Sequence, residues 1–136
     1  MMFFELKISE VSGEWGIVCE KLGIVGQSDT MEGAMDSFKA AIDLLAGEQL
    51  AKSNKDIFID IERQRFSFKN TVEMLPLIFE LLKRRSGKSF TDLQKDLGLA
   101  STGAVHKYFS KTNKTIPNTE KFIDLMQALN AEIKIG

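Results

Sequence analysis

Residues 88–110 read Lys-Ser-Phe-Thr-Asp-Leu-Gln-Lys-Asp-Leu-Gly-Leu-Ala-Ser-Thr-Gly-Ala-Val-His-Lys-Tyr-Phe-Ser, and this stretch restricts the fold more than any other. Leu93 and Leu97 stand one helical turn apart, as do Val105 and Phe109 further on. Gly98 falls between the two pairs, where the chain must reverse through positive φ. The spacing predicts two short helices meeting at a tight angle, a helix-turn-helix. Such a motif anchors one side of its second helix and leaves the other side free. Here the free side carries Ser101, Thr102, His106, Lys107 and Lys111, polar and basic groups able to reach phosphates and base edges. The second helix is expected to run from Thr102 to Lys111, with Thr102 and His106 toward base edges and Lys107 and Lys111 toward phosphate. Lys88 and Lys114 are further candidates for phosphate contact.

Charge supports a division of labour along the chain. Residues 1–68 hold 7 Lys+Arg against 12 Asp+Glu, a balance of −5, whereas residues 69–136 hold 11 against 7, a balance of +4. The basic half is also the half with the motif, which suits a nucleic-acid surface beside a region that repels DNA or receives a basic partner. Lys83, Arg84 and Arg85 have a second explanation as compensation for a helix C-terminus.

Several classes are disfavoured. Cys19 is the only cysteine and lies in an apolar run, so it reads as a small buried residue in a reducing compartment. No segment approaches the roughly 20 apolar residues of a bilayer span. The first residues, Met1-Met-Phe-Phe-Glu-Leu-Lys, lack the order of a signal peptide. The expectation is a cytoplasmic protein without membrane contact. No ligand spacing surrounds His106, the only histidine, so no metal or cofactor is expected. Glu5, Glu14, Glu20, Asp29 and Asp36 could be imagined as a metal-dependent nuclease cluster, but exposed faces and a helix cap at Asp29 account for them more simply.

Periodicity supplies the rest of the plan. Phe4, Leu6 and Ile8 share one face of a first strand, Ser12-Gly13-Glu14 makes a turn, Trp15, Ile17 and Cys19 alternate in a second strand, and residues 22–25 form a third. Asp29-Thr-Met-Glu32 resembles a capping signal, and Ala34, Met35, Phe38, Ile42 and Leu45 fall on one helical face. A loop at residues 53–56 leads to a fourth strand with Ile57, Ile59 and Ile61 alternating. Residues 63–69 either prolong that strand or connect onward, and Phe66 and Phe68 there are candidates for an interface. Asn70 opens a helix with Leu75, Ile78, Phe79 and Leu82 inward, its regular part starting near Leu75 because of Pro76. Ser89 caps the next helix, Ser101 or Thr102 the one after, and Asn118 the last, with Phe122, Ile123, Met126 and Leu129 buried. Asn130 is a candidate left-handed cap, and residues 132–135 a terminal strand. The expected fold is α+β: a β-β-β-α-β domain over residues 1–68, followed by an all-α helix-turn-helix domain of four to five helices over residues 69–136.

Two resemblances follow from these residues. The run Leu81-Leu-Lys-Arg-Arg, Ser89-Phe-Thr-Asp-Leu-Gln-Lys-Asp-Leu-Gly-Leu, Gly103-Ala-Val-His-Lys-Tyr-Phe and Ile116-Pro-Asn-Thr-Glu-Lys-Phe-Ile-Asp-Leu-Met-Gln-Ala-Leu-Asn resembles the lambda-repressor-like (Cro/repressor, XRE) DNA-binding domain. It departs from that pattern in a turn one residue longer between Leu99 and Val105, which leaves open whether Ser101 or Thr102 faces a base, and in Ser110-Lys111 where a glycine is common. Residues 2–62, through Gly26-Gln-Ser-Asp-Thr-Met-Glu-Gly-Ala and the strand order, are similar to the HicB-type antitoxin domain, a partial ribonuclease-H-like unit. The family's Asp-Leu-Pro-Gly stretch is replaced by Cys19-Glu-Lys-Leu-Gly. Together the resemblances imply an antitoxin of a toxin-antitoxin pair. Such a protein neutralises a small basic ribonuclease toxin, represses its own operon at operator DNA, and works as a homodimer or higher homo-oligomer. The alternative is a stand-alone or phage-type transcriptional repressor whose first domain only dimerises.

Overall fold

A computed structural model describes residues 2–51, 57–112, 115–129 and 134–135. The loop expected at residues 53–56, the cap expected at Asn130 and the candidate Lys114 lie outside the described residues. The first strand is two strands in two sheets. β1 (Met2–Glu5) and β2 (Lys7–Val11) are separated at Leu6, a buried residue whose N–H donates to the Gln64 carbonyl at 2.9 Å. Side-chain alternation continues unbroken through Leu6, so periodicity alone does not reveal that the hydrogen-bonding partner changes there.

β2, β3 (Glu14–Cys19) and β4 (Ile24–Ser28) form an antiparallel meander in the order β2-β3-β4, the arrangement the pattern predicts, but with the third strand at Ile24–Ser28 and not at residues 22–25. Ser12 and Gly13, with φ of 53° and 81°, close the β2–β3 hairpin; positive φ at both central residues matches the strand twist. The helix α1 (Met31–Ala51) covers this sheet with Ala34, Phe38, Ile42, Ala46 and Leu50 buried, and it breaks at Gly47, where φ is 72°. Its cap is Thr30 rather than Asp29: the Thr30 Oγ1 accepts from the Gly33 N–H at 2.9 Å, while Asp29 receives the Ser28 hydroxyl. Gly26 on β4 is what lets the helix come close, since a Cβ there would stand 2.5 Å from the Ala34 carbonyl and the Phe38 nitrogen.

The second sheet runs β5-β6-β1-β7, from β5 (Ile57–Asp60), β6 (Arg65–Phe68) and the short β7 (Lys134–Ile135). Residues 63–69 are thus neither a prolongation nor a connector; β6 returns antiparallel on β5 through a turn in which Gln64 has φ 51°. Phe66 and Phe68 belong to the core and not to an interface. Phe66 lies 5.4 Å from Phe4 and 5.1 Å from Phe38 between ring centroids, tying the sheet to α1.

Beyond β6 come α2 (Thr71–Ser86), α3 (Phe90–Leu97), α4 (Thr102–His106), a 3₁₀ turn (Lys107–Phe109) and α5 (Thr119–Ala128). α2 starts at Thr71 and not near Leu75, because the Asn70 side chain caps the Glu73 N–H. Pro76 is accommodated in the second turn, where the missing N–H deprives only the Val72 carbonyl. In α5 Leu125 is buried where Ile123, 46% exposed, was expected.

The expected separation into a β-β-β-α-β domain and an all-α domain is corrected by this topology. The molecule is a small α+β fold whose strands come first, whose helices are interleaved with strands, and whose last strand returns to the first. β7 pairs antiparallel with β1, with Met2 opposite Ile135 and Phe3 opposite Lys134. α2 packs on α1, and one hydrophobic cluster runs from Met2 to Leu129. The physical reason lies in α2, which buries Met74, Leu75, Pro76, Leu77, Ile78, Phe79, Leu81 and Leu82. A helix apolar over so much of its circumference has to be covered from more than one side.

Candidate nucleic-acid interface

Each turn of the helix-turn-helix is set by a local hydrogen bond. Ser89 and Asp92 form a reciprocal capping box: the Asp92 N–H donates to the Ser89 Oγ at 3.1 Å, and the Ser89 N–H donates to the Asp92 carboxylate at 2.9 Å. That backbone hydrogen bond, with the Ser89 hydroxyl, holds the Asp92 carboxyl below its ordinary value. Gly98 ends α3 at φ 64°, and its N–H donates back to the last carbonyls of the helix. Leu99 then donates to the Gln94 carbonyl at 3.0 Å while the Gln94 amide donates to the Leu99 carbonyl at 3.2 Å, which fixes the angle of departure. Ser101, and not Thr102, caps α4, accepting from the Ala104 N–H at 3.3 Å.

Leu93, Leu97 and Val105 are buried as the spacing predicts. The second helix is shorter than expected: it ends at His106 and tightens into the 3₁₀ turn, which buries Tyr108 and leaves Phe109 half-buried. Ser110 is already extended, at φ −74° and ψ 123°. Lys111 explains where the chain goes. Its ammonium pairs with Glu80 of α2 at 2.9 Å and donates to the Leu45 carbonyl of α1 at 3.2 Å, so the segment is drawn toward α1 and α2 instead of continuing the helix.

The predicted contact residues therefore fall into two groups. Ser101, His106 and Lys107 are exposed on the outer side of the second helix and its 3₁₀ extension, with Thr102 half-buried beside them. Lys107 has no carboxylate partner among the described residues and lies 5.6 Å from the Tyr108 ring centroid. Lys88 and Lys111 have intramolecular work: Lys88 pairs with Asp96 at 2.9 Å, and both lysine side chains are only about one-third exposed.

His106 does not stand alone. Its ring lies 3.8 Å from that of Phe90, tilted by 32°, and Phe90 meets Phe109 edge-on at 5.1 Å. Lys83 places its ammonium 4.4 Å from the Phe90 centroid. Together with Arg84, which pairs with Glu80 at 2.8 Å, these residues line an open cleft of about 600 Å³ that also includes Lys111. The spacing of Glu80 and Arg84, one helical turn apart, could have signalled the ion pair. Nothing in the sequence signalled that Phe90, the first residue of α3, would lie against His106.

Among the described residues no three His, Cys, Asp or Glu side chains come together in a way that could hold a metal ion, and no helix is long and apolar enough to cross a membrane. Burial pushes the Cys19 thiol up to about 11, which leaves it protonated at neutral pH. Compared with known protein families and with curated proteins, the sequence matches none. The likeness to the Cro/repressor and HicB-type domains is thus carried by the residues quoted above alone.

Proposed function

We propose that the protein binds duplex DNA through the segment Phe90–Phe109 as a transcriptional repressor, and that its acidic N-terminal part receives a small basic toxin, the role of an antitoxin. The observation that carries the first half is the pair of short capped helices. They are locked together by Leu93, Leu97 and Val105 and expose Ser101, His106 and Lys107 on the side away from that core. Ser101 is the better candidate for a base edge than Thr102, being exposed where Thr102 is half-buried. Lys107 is the phosphate contact, and Lys88 and Lys111 reach phosphate only by giving up Asp96 and Glu80. One such motif reads one half-site, so the DNA-bound form is a dimer or a higher assembly. Support for the second half is the balance of −5 over residues 1–68, suited to a partner that itself binds RNA.

Fluorescence anisotropy with duplexes from the protein's own upstream region tests the DNA reading. Lys107→Gln lowers the slope of log affinity against log salt by about one unit. Ser101→Asn keeps an acceptor for the Ala104 N–H and changes base preference at one position of each half-site. Equal affinity for upstream and scrambled duplexes at every salt concentration rejects sequence reading. Purification of the protein together with the product of an adjacent gene tests the other half: a small basic chain bound to the acidic part supports the antitoxin, and its absence supports a stand-alone repressor.

A further inference from the structure

We infer that the cleft between α2 and the end of the helix-turn-helix is a binding site for a small planar aromatic carboxylate. The site has a wall and a charge. Its wall is Phe90 with His106 against it at 3.8 Å and Phe109 edge-on at 5.1 Å, a set of rings on which another ring can stack. Its rim holds three cations, Lys83, Arg84 and Lys111, against one carboxylate, Glu80. Glu80 is spent on two of them, Arg84 through Oε1 at 2.8 Å and Lys111 through Oε2 at 2.9 Å. Among the described residues Lys83 is left with only the Phe90 ring, at 4.4 Å. The rim thus carries a net positive charge beside an apolar floor, and one anionic oxygen pair on an aromatic scaffold meets both. A volume of about 600 Å³ lies within the roughly 300–1,000 Å³ usual for small-molecule sites. A simple anion would leave the rings uncovered, and a neutral aromatic would leave Lys83 without a counter-charge.

His106 is the only histidine, so its imidazole carbon-bound protons form a single, unambiguous NMR reporter on the wall of the cleft. The experiment titrates the full chain with sodium indole-3-acetate at fixed pH and ionic strength. Parallel titrations use indole-3-acetamide, sodium acetate and sodium phosphate. A saturable ring-current shift of the His106 signals with indole-3-acetate, much weaker with the amide and absent with the two simple anions, is the expected result. Lys83→Gln and Arg84→Gln, both at the surface rim, each weaken that binding by about threefold, the size of one partly exposed ion pair. A shift that never saturates, an equal response to acetate or phosphate, or affinity unchanged in both variants overturns the site.

One consequence rests on the proposed DNA reading: a ligand against His106 occupies the outer side of the second helix and lowers DNA affinity. Anisotropy measured with and without indole-3-acetate reads this separately. Intact ligand binding with unchanged DNA affinity counts against the placement of His106 at the DNA and leaves the ligand site standing.

Discussion

The sheets with α1 and the helix-turn-helix hold their shapes by different means. In the first region Phe4, Phe38, Phe66 and Phe68 come from three elements, β1, α1 and β6, and meet with ring centroids 5.1 to 6.1 Å apart, and the helix lies on the sheet because Gly26 has no side chain to keep it off. In the second, the decisive contacts join residues three to five positions apart: Ser89 with Asp92, Gln94 with Leu99, Ser101 with Ala104. Geometry in the first region is collective, and in the second it is written turn by turn. The difference teaches where a substitution does its damage. A change among the phenylalanines is felt throughout the molecule, because the same cluster continues through α2 to Val105 and Leu129.

The sharpest way to break that contrast is Phe66→Ala. Phe66 is fully buried, and its removal is expected to cost about 3–5 kcal/mol, a large share of the stability of a domain this size. Urea unfolding followed by circular dichroism should show one transition moved to lower concentration. A helical transition left at its original midpoint would show that the two regions do not share a core. Next comes Gly26→Ala. The added methyl meets the α1 backbone at Ala34 and Phe38, so α1 must move away from β4, at a cost of about 1–3 kcal/mol read as a lower melting temperature.

A smaller effect belongs to the other region. Gly98→Ala puts a Cβ at φ 64° with open space around it, so only the backbone conformation is penalised, by about 1–2 kcal/mol. Gly98→Asn should lose less, since asparagine tolerates that conformation. If Gly98→Ala proved as costly as Phe66→Ala, the turn would have to be supported by long-range contacts after all. The smallest effect is the acid limb of the capping box. The Asp92 carboxyl is held below its ordinary value of 3.8 in the folded chain, so its contribution is present above that value and disappears as pH falls through the lower native one. Comparing acid unfolding of the wild type with Asp92→Asn should show a shallower loss in the variant over that window.

Local chemistry made half of the molecule legible in advance. Ser89, Asn70 and Asn118 cap helices where the sequence places them, Gly98 ends a helix in the left-handed conformation, and Leu93, Leu97 and Val105 are buried at their expected spacing. The same is true of the β2-β3-β4 meander, whose tight turn is encoded by Ser12-Gly13. Three features were not legible. β6 is only four residues long, and Phe66 and Phe68 look the same in a connector as in a strand until β1 and β5 are placed on either side. Leu6 continues an alternation while its neighbours change sheets. The cleft requires Phe90, His106 and Lys83, from three separate elements, to converge.

What the sequence by itself determined was a set of features whose hydrogen-bond partner lies within about a turn of chain: the caps at Asn70, Ser89 and Asn118, the left-handed Gly98, the Ser12-Gly13 hairpin and the place where the two helices of the motif meet, though not the cap of α1 or the length of the second helix. Tertiary structure alone decided that β7 closes on β1, that Lys111 serves Glu80 and the Leu45 carbonyl, and that the helices grow out of the strands' core instead of forming a domain of their own. The reason is the range of the forces. A capping bond is satisfied or lost within a few residues, whereas burial of an apolar face is indifferent to which distant segment supplies the cover, and only the folded chain makes that choice.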